Sequence, residues 1–302
     1  MNDLNYDVAI IGAGMVGATL ASLLSRSGFS VALVEASEPQ AFDANAEVGL
    51  RVSAISPGST AILEQAGAWK QVSSQRHRAY RRMQVEDGHE SEPLLFDAPV
   101  FNLERLGTIV ENDLLQWSLW QLVSAGGLVD IYCPDQLETI EFLEHQNHLL
   151  LSSGQQIKAR LLVGADGARS RVRKAVGIGQ DQYVYNQSGV VAVAAKQKPN
   201  PGVAWQRFLA TGPLAFLPLD DGRSSIVWSV PTLEANRLMS LDTEAFCAEL
   251  DEASQGWLGK IESCGPRAAF PLSMRLSECY AAKRTILVGD AAHVVHPCLL
   301  YT

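Results

Sequence analysis

The chain is poor in the groups that build disulfide frameworks, metal sites or nucleic-acid interfaces. Its 302 residues include five cysteines (Cys133, Cys247, Cys264, Cys279, Cys298), widely spaced and never in a CxxC pair. That spacing gives no metal or redox signature and suits a reducing, cytoplasmic setting. Charge is sparse as well: 19% of residues are charged and the net charge is −9. Nucleic acid binding needs a concentrated basic face, so this balance argues against such a partner. One basic run, Arg76 to Arg82, reads as a solvated surface segment. No signal peptide or membrane span is evident. The apolar run from Val8 to Leu24 has Asp3 and Asp7 ahead of it instead of a basic region, and glycines interrupt it. Internal repeats and low-complexity segments are also missing.

What is present is apolar: 47% of the residues, enough for a sizeable core and, at this length, two domains. The chain opens with β-forming residues, Tyr6 to Ile11, that run into Gly12-Ala13-Gly14-Met15-Val16-Gly17 and then a helical segment, Ala18 to Ser27. The glycines have separate tasks. Gly12 permits the tight turn, Gly14 lets the backbone approach a pyrophosphate, and Gly17 packs the helix closely on the strand. The helix N-terminus offers free N–H groups to phosphate. A second apolar run, Val31 to Val34, ends in Glu35, whose carboxylate is suited to ribose hydroxyls. This is a dinucleotide-site pattern.

Two more strands break at glycine: Leu161-Leu162-Val163 before Gly164-Ala165-Asp166-Gly167, and Ile286-Leu287-Val288 before Gly289-Asp290. Helices are expected at Ser59–Ala66, Asn112–Ser124 and Asp242–Glu252, the last capped by Asp242. Strands are expected at Leu137–Leu143 and His148–Ser152, with a hairpin entered at Met83–Gly88. Between about Val190 and Ala269 the pattern changes to short strands and turns, with a hairpin around Asp220-Asp221-Gly222. The expected fold is α/β: a Rossmann-like nucleotide-binding domain (1–75, 103–179 and 282–302) interrupted by a mostly antiparallel β-sheet domain (76–102 and 180–281).

The three glycine turns, taken in order, resemble the fingerprints of the FAD-dependent aromatic hydroxylases, the single-component flavoprotein monooxygenases. Leu50-Arg51-Val52-Ser53-Ala54, Ile109-Val110-Glu111-Asn112, Val163 to Ser170 and Phe216-Leu217-Pro218-Leu219 extend the likeness to the ubiquinone-biosynthesis hydroxylases of the UbiH/VisC type. The resemblance implies that Gly12, Gly14 and Gly17 hold the FAD pyrophosphate and Glu35 the adenosine ribose. Arg51 would help hold the flavin end and Asn112 would contact the cofactor, with helix capping as its competing role. Asp166 would order its turn, Asp290 would accept a hydrogen bond from the ribityl chain at the end of a buried strand, and Pro297 would lie near the reacting flavin edge. His293 and His296 belong to the flavin motif, and no metal is expected. Arg169, Arg171, Arg173 and Lys174 read either as a site for NAD(P)H phosphates or as a solvated helix face.

Catalysis would then rest on the cofactor, with no catalytic base named. NAD(P)H serves as transient reductant, and O₂ supplies one oxygen atom, through a flavin hydroperoxide, to the ring of a polyprenylated phenol. Phe216 and Trp228, on strands of the sheet domain, are the expected lining of the substrate channel. The implied partners are that phenol, O₂, other ubiquinone-biosynthesis proteins, a second copy of the chain and the inner-membrane surface. Related chains continue past the His-Pro with a glycine-containing loop, whereas this sequence ends at Thr302; the expectation is a truncated form with weak FAD binding, poor hydroxylation and a tendency to self-associate. Two alternatives stand beside this reading: another FAD oxidoreductase of the same fold, such as a dehydrogenase or prenyl reductase, and a non-catalytic member of a biosynthetic complex.

Overall fold

A computed structural model of the chain describes residues 4–87 and 92–296. Five parallel strands run side by side in the order Thr285–Leu287, Gln156–Gly164, Leu4–Ile11, Val31–Val34, Val129–Tyr132. They read as unbroken apolar runs because both faces are covered. The helices Met15–Arg26 and Asn112–Ala125 pack on one face through Ala18, Ala21, Leu114, Leu115 and Leu119. On the other lie the helix Arg171–Val176 and the antiparallel pair Leu137–Phe142 and Asn147–Leu151, the second strand of which also pairs with Gln156–Gly164.

The second sheet has eight strands, in the order His293–Val294, Ile261–Ser277, Gln180–Lys196, Ser224–Pro231, Gly212–Pro218, Val203–Leu209, Arg82–Glu86, Leu94–Asp97. All its pairings are antiparallel except that of Val203–Leu209 with Arg82–Glu86. Successive side chains alternate between its faces. One face carries Val190, Trp205, Leu214, Phe216, Ile226 and Trp228, and is closed by Leu238, Phe246 and Leu250 from the helices Thr232–Ser240 and Thr243–Ser254. The opposite face presents Val193, Ala204, Leu217 and Leu219 to Tyr80 and Ile109 of a small three-stranded sheet (Val52–Ile55, Gly107–Glu111, Arg78–Tyr80). The hairpin expected around Asp220-Asp221-Gly222 forms, and so does the Asp242 cap, whose Oδ1 accepts from the Ala245 N–H at 2.8 Å. The turn expected at Gly88 lies outside the described residues.

Lys196 is buried beneath the helices of the second sheet. Its ammonium donates to Ser254 Oγ and to the Trp257 and Gly259 carbonyls and sits over the Phe216 ring. Burial outweighs these partners and pulls its pKa from 10.5 down to about 8. Between those two values the unfolded chain holds the proton and the folded chain releases it, so stability rises with pH across that window; below it this group contributes no slope. Urea unfolding from pH 7 to 10.5 checks this, and Lys196→Met is expected to remove the rise.

Candidate functional site

The parallel strand order brings the three glycine turns together. Ile11 is in register with Gly164, and Gly164 with Leu287, so the turns at Gly12, Gly164 and Gly289 lie next to one another at the carboxyl edge of the sheet. Backbone bonds lock them: Ala165 N–H to Ile11 C=O (2.8 Å), Val288 N–H to Gly164 C=O (3.0 Å) and Gly12 N–H to Val34 C=O (2.8 Å). From Leu4–Ile11 the chain crosses to Val31–Val34 on one side and returns on the other as Gln156–Gly164. That reversal opens the crevice in which sheets of this kind bind ligands.

Within it the three glycines differ in what an added side chain would meet. Gly12 has φ +104°, and a Cβ there would strike the Ala165 carbonyl. A Cβ on Gly17 would strike the Gly12 carbonyl. Gly14 differs: no atom lies within 4 Å of its would-be Cβ, and it starts the helix Met15–Arg26 with no side-chain cap. The helix therefore presents uncapped N–H groups to an open cradle, the arrangement that binds pyrophosphate. The cradle belongs to a cleft of about 400 Å³ lined by Gly12, Gly14, Glu35, Asp166, Arg169 and Arg171 among others. Glu35 Oε2 accepts from the Ala13 N–H at 2.6 Å, which ties the second strand to the glycine turn. Asp166 Oδ2 accepts from the N–H groups of Arg171 (2.7 Å) and Val172 (3.1 Å), while its Oδ1 is buried with no partner among the described residues. Asp166→Ala is expected to lose about 1 kcal/mol by uncapping that short helix, to be read by thermal unfolding.

Arg51 and Asn112 are neighbours. Asn112 N–H donates to the Arg51 carbonyl (3.0 Å), and Asn112 Oδ1 accepts from Ser53 Oγ (2.7 Å). Glu111 occupies the helix-capping position, so the competing N-cap role for Asn112 does not hold. The Arg51 side chain is exposed. Asp290 corrects an expectation: it lies in a one-turn helix, Gly289–Ala291, with its carboxylate exposed instead of buried at a strand end. It needs no protein partner and is free to meet a ligand's hydroxyl. Pro297 lies outside the described residues. His293 is exposed beside Tyr280, whereas His296 packs edge-on against Tyr185, and burial lowers its pKa.

Arg76 and Arg173 are not on solvated faces, as their basic runs suggest. Arg76 is paired with the buried Glu111 and also donates to the Ala44, Ala46 and Glu47 carbonyls; Glu111 accepts from the Gly49 N–H as well. Arg173, 4% exposed, donates to the Ala291 and Ala168 carbonyls and to Gln180 Oε1, bracing the Asp290 turn against the Asp166 turn. Side chains of opposite charge and carbonyl groups that meet only in the fold make both sites, and no local pattern marks them.

The model of the FAD binding domain family matches residues 5–299. The chain belongs to this family. It is 37% identical over 298 residues to the 3-demethoxyubiquinol 3-hydroxylase of Escherichia coli, covering 98% of this chain and 75% of that protein. To the human ubiquinone biosynthesis monooxygenase COQ6 it is 34% identical over 347 residues, 98% of this chain and 73% of that one. Among solved structures it resembles pqsL, a probable FAD-dependent monooxygenase from Pseudomonas aeruginosa, with TM-score 0.80 at 25% identity over 98% of this chain and 81% of that one. The chain is thus a flavin-dependent monooxygenase by family, and FAD is its cofactor. The observed residues fit that group: an open cradle at Gly14, an uncapped helix N-terminus, the unpartnered Oδ1 of Asp166 and the exposed carboxylate of Asp290.

Phe216 and Trp228 are corrected by the structure. Both lie in the core on the helix-covered face, Phe216 wholly buried between Trp205, Trp257 and Lys196. Their strands point them away from the nucleotide-binding part. The residues alternate to them in sequence share a face with it.

Proposed function

We propose that the chain hydroxylates the ring of a polyprenylated phenol in ubiquinone biosynthesis, with NAD(P)H and O₂ as co-substrates. One observation carries this reading: a pyrophosphate cradle and the Asp290 turn lie on one side, and a separate apolar sheet face lies on the other. FAD, when bound, supplies the oxygen chemistry. The residues do the rest. Gly12, Gly14 and Gly17 with the helix N-terminus hold the pyrophosphate, Glu35 the ribose, Arg51 and Asn112 the path to the flavin, and Asp290 the ribityl chain. Pro297 belongs with the flavin edge. Arg169 and Arg171 line the cleft, and we assign them to phosphate. The names of the relatives support the substrate class. No helix among the described residues is long and apolar enough to cross a bilayer, so a polyprenyl substrate would be met at the membrane surface or delivered by another protein of the pathway. We also retain the discontinuous two-domain division and self-association through exposed apolar residues.

The apolar wall that would face the ring is the sheet face bearing Val191, Ala215 and Val227, which takes over the role expected of Phe216 and Trp228. The test uses ¹⁸O₂: with NAD(P)H and a short-chain prenylated phenol, one labelled atom is expected in the product. NAD(P)H-dependent turnover with no label in the product would favour a dehydrogenase or reductase.

A further inference from the structure

Resting on that substrate reading, we infer that Gln206 is the specificity residue of the sheet wall, hydrogen-bonding the ring oxygen of the phenol. Strand register defines the wall. Gln206 pairs laterally with Val85 on one side and Ala215 on the other, and the row continues through Val227, Val191 and Ala268. Every other member of that row is apolar. Along its own strand Gln206 shares its face with Ala204, which packs against the nucleotide-binding side, and with Phe208. The next row carries Phe208, Pro213, Ser229, Gly189 and Phe270. Its two phenylalanines are 42% and 44% exposed.

Gln206 is 6% exposed as a residue, and its amide atoms are not among the fully buried unpaired ones, so the amide is the polar group that this row leaves open at its surface. An open amide in an otherwise apolar row can bond a ligand's oxygen in place of water. The same strands carry the wall toward the cofactor turn: Tyr185 of Gln180–Lys196 meets His296 at 5.0 Å between ring centroids, and Arg275 of Ile261–Ser277 pairs with Val294. The row of Phe208 and Phe270 is thus the one on the cofactor side, with Gln206 one step deeper. A carboxamide both donates and accepts, so it matches a phenol hydroxyl or a ring methoxy or carbonyl oxygen, while the apolar row accommodates ring edge and prenyl chain. A site built to bond an oxygen rejects the analogue that lacks it, because the amide is left unpaired.

The test compares a prenylated phenol with the prenylated benzene lacking the hydroxyl, titrated against the protein by tryptophan fluorescence and by NMR of side-chain amide and aromatic signals. Wild type is expected to prefer the phenol by about tenfold, the scale of one hydrogen bond, with the Gln206 amide signals shifting only for the phenol. In Gln206→Leu the preference is expected to vanish while affinity for the hydrocarbon is kept or improved. Gln206→Met, closer in shape, gives the same readout should the leucine variant fold poorly. A variant that binds both probes and keeps the wild-type preference overturns the assignment of Gln206 alone. If neither probe perturbs Phe208 or Phe270 in wild type, the substrate wall itself is wrong, and this inference falls with it.

Discussion

Gly17→Val is expected to destabilise the fold by at least about 3 kcal/mol, because its Cβ would fall on the Gly12 carbonyl, a backbone atom fixed by the strand beside it. Gly14→Val should behave in the opposite way. Gly14 has φ −63° and ψ 180°, a region open to any residue, and no atom lies within 4 Å of the added Cβ. Its unfolding free energy should stay within about 0.5 kcal/mol of wild type. FAD affinity should fall about a hundredfold, since the side chain would fill the cradle and remove hydrogen bonds to a charged pyrophosphate. Urea unfolding measures the first quantity and quenching of flavin fluorescence the second. The pair separates two tasks within one motif. Equal loss of stability in both variants would mean that the open cradle at Gly14 is not there.

The glycine turns were legible because each is short-range. Strand, turn and helix follow one another within a dozen residues, and both the steric demand at Gly12 and the helix start are local properties. The adjacency of the three turns was not legible in the same way, because it arises from a strand order that places Gln156–Gly164 beside Leu4–Ile11. The sheet face was misread for a related reason. Alternation along Gly212–Pro218 says that Leu214 and Phe216 share a side and that Ala215 and Leu217 share the other; it does not say which side the helices Thr232–Ser240 and Thr243–Ser254 will cover. Large aromatic residues filled the covered face, as burial energetics favour. The smaller Ala204, Ala215 and Val191 went to the opposite face. Two strands of 17 residues, Gln180–Lys196 and Ile261–Ser277, were seen only as short pieces. The first half of Gln180–Lys196 and much of the interior of Ile261–Ser277 are exposed, so no single hydrophobic period runs their length.

Glu111 shows most clearly how a residue inside a family-like motif does work that the motif does not reveal. Its carboxylate is 6% exposed and takes two contacts from Arg76 (2.5 and 3.1 Å) and one from the Gly49 N–H (2.7 Å). Arg76, held in the charged form chiefly by that bond, also grips the carbonyls of Ala44, Ala46 and Glu47 and lies over the Phe42 ring. The segment from 42 to 49 lies in the chain between Glu35 and Arg51, and this ion pair anchors it together with the Arg223–Glu47 pair (3.0 Å) and the turn at Asp43. Glu111→Ala would leave the guanidinium without its counter-charge and the Gly49 N–H without its acceptor. About 3 kcal/mol should be lost, the lower end of the range for a broken buried pair, because the Arg76 side chain keeps 21% of its exposure. Arg76→Met/Glu111→Leu removes both charges and should recover most of that loss, since the attraction of a buried pair largely offsets its desolvation. Stability alone would then look nearly normal, but the loop would still lack its carbonyl grip. Limited proteolysis is expected to cut between Ala44 and Gly49 in the double variant and not in wild type. An intact loop in the double variant would show that the Phe42 packing and the Arg223–Glu47 pair hold the segment without the Arg76 side chain.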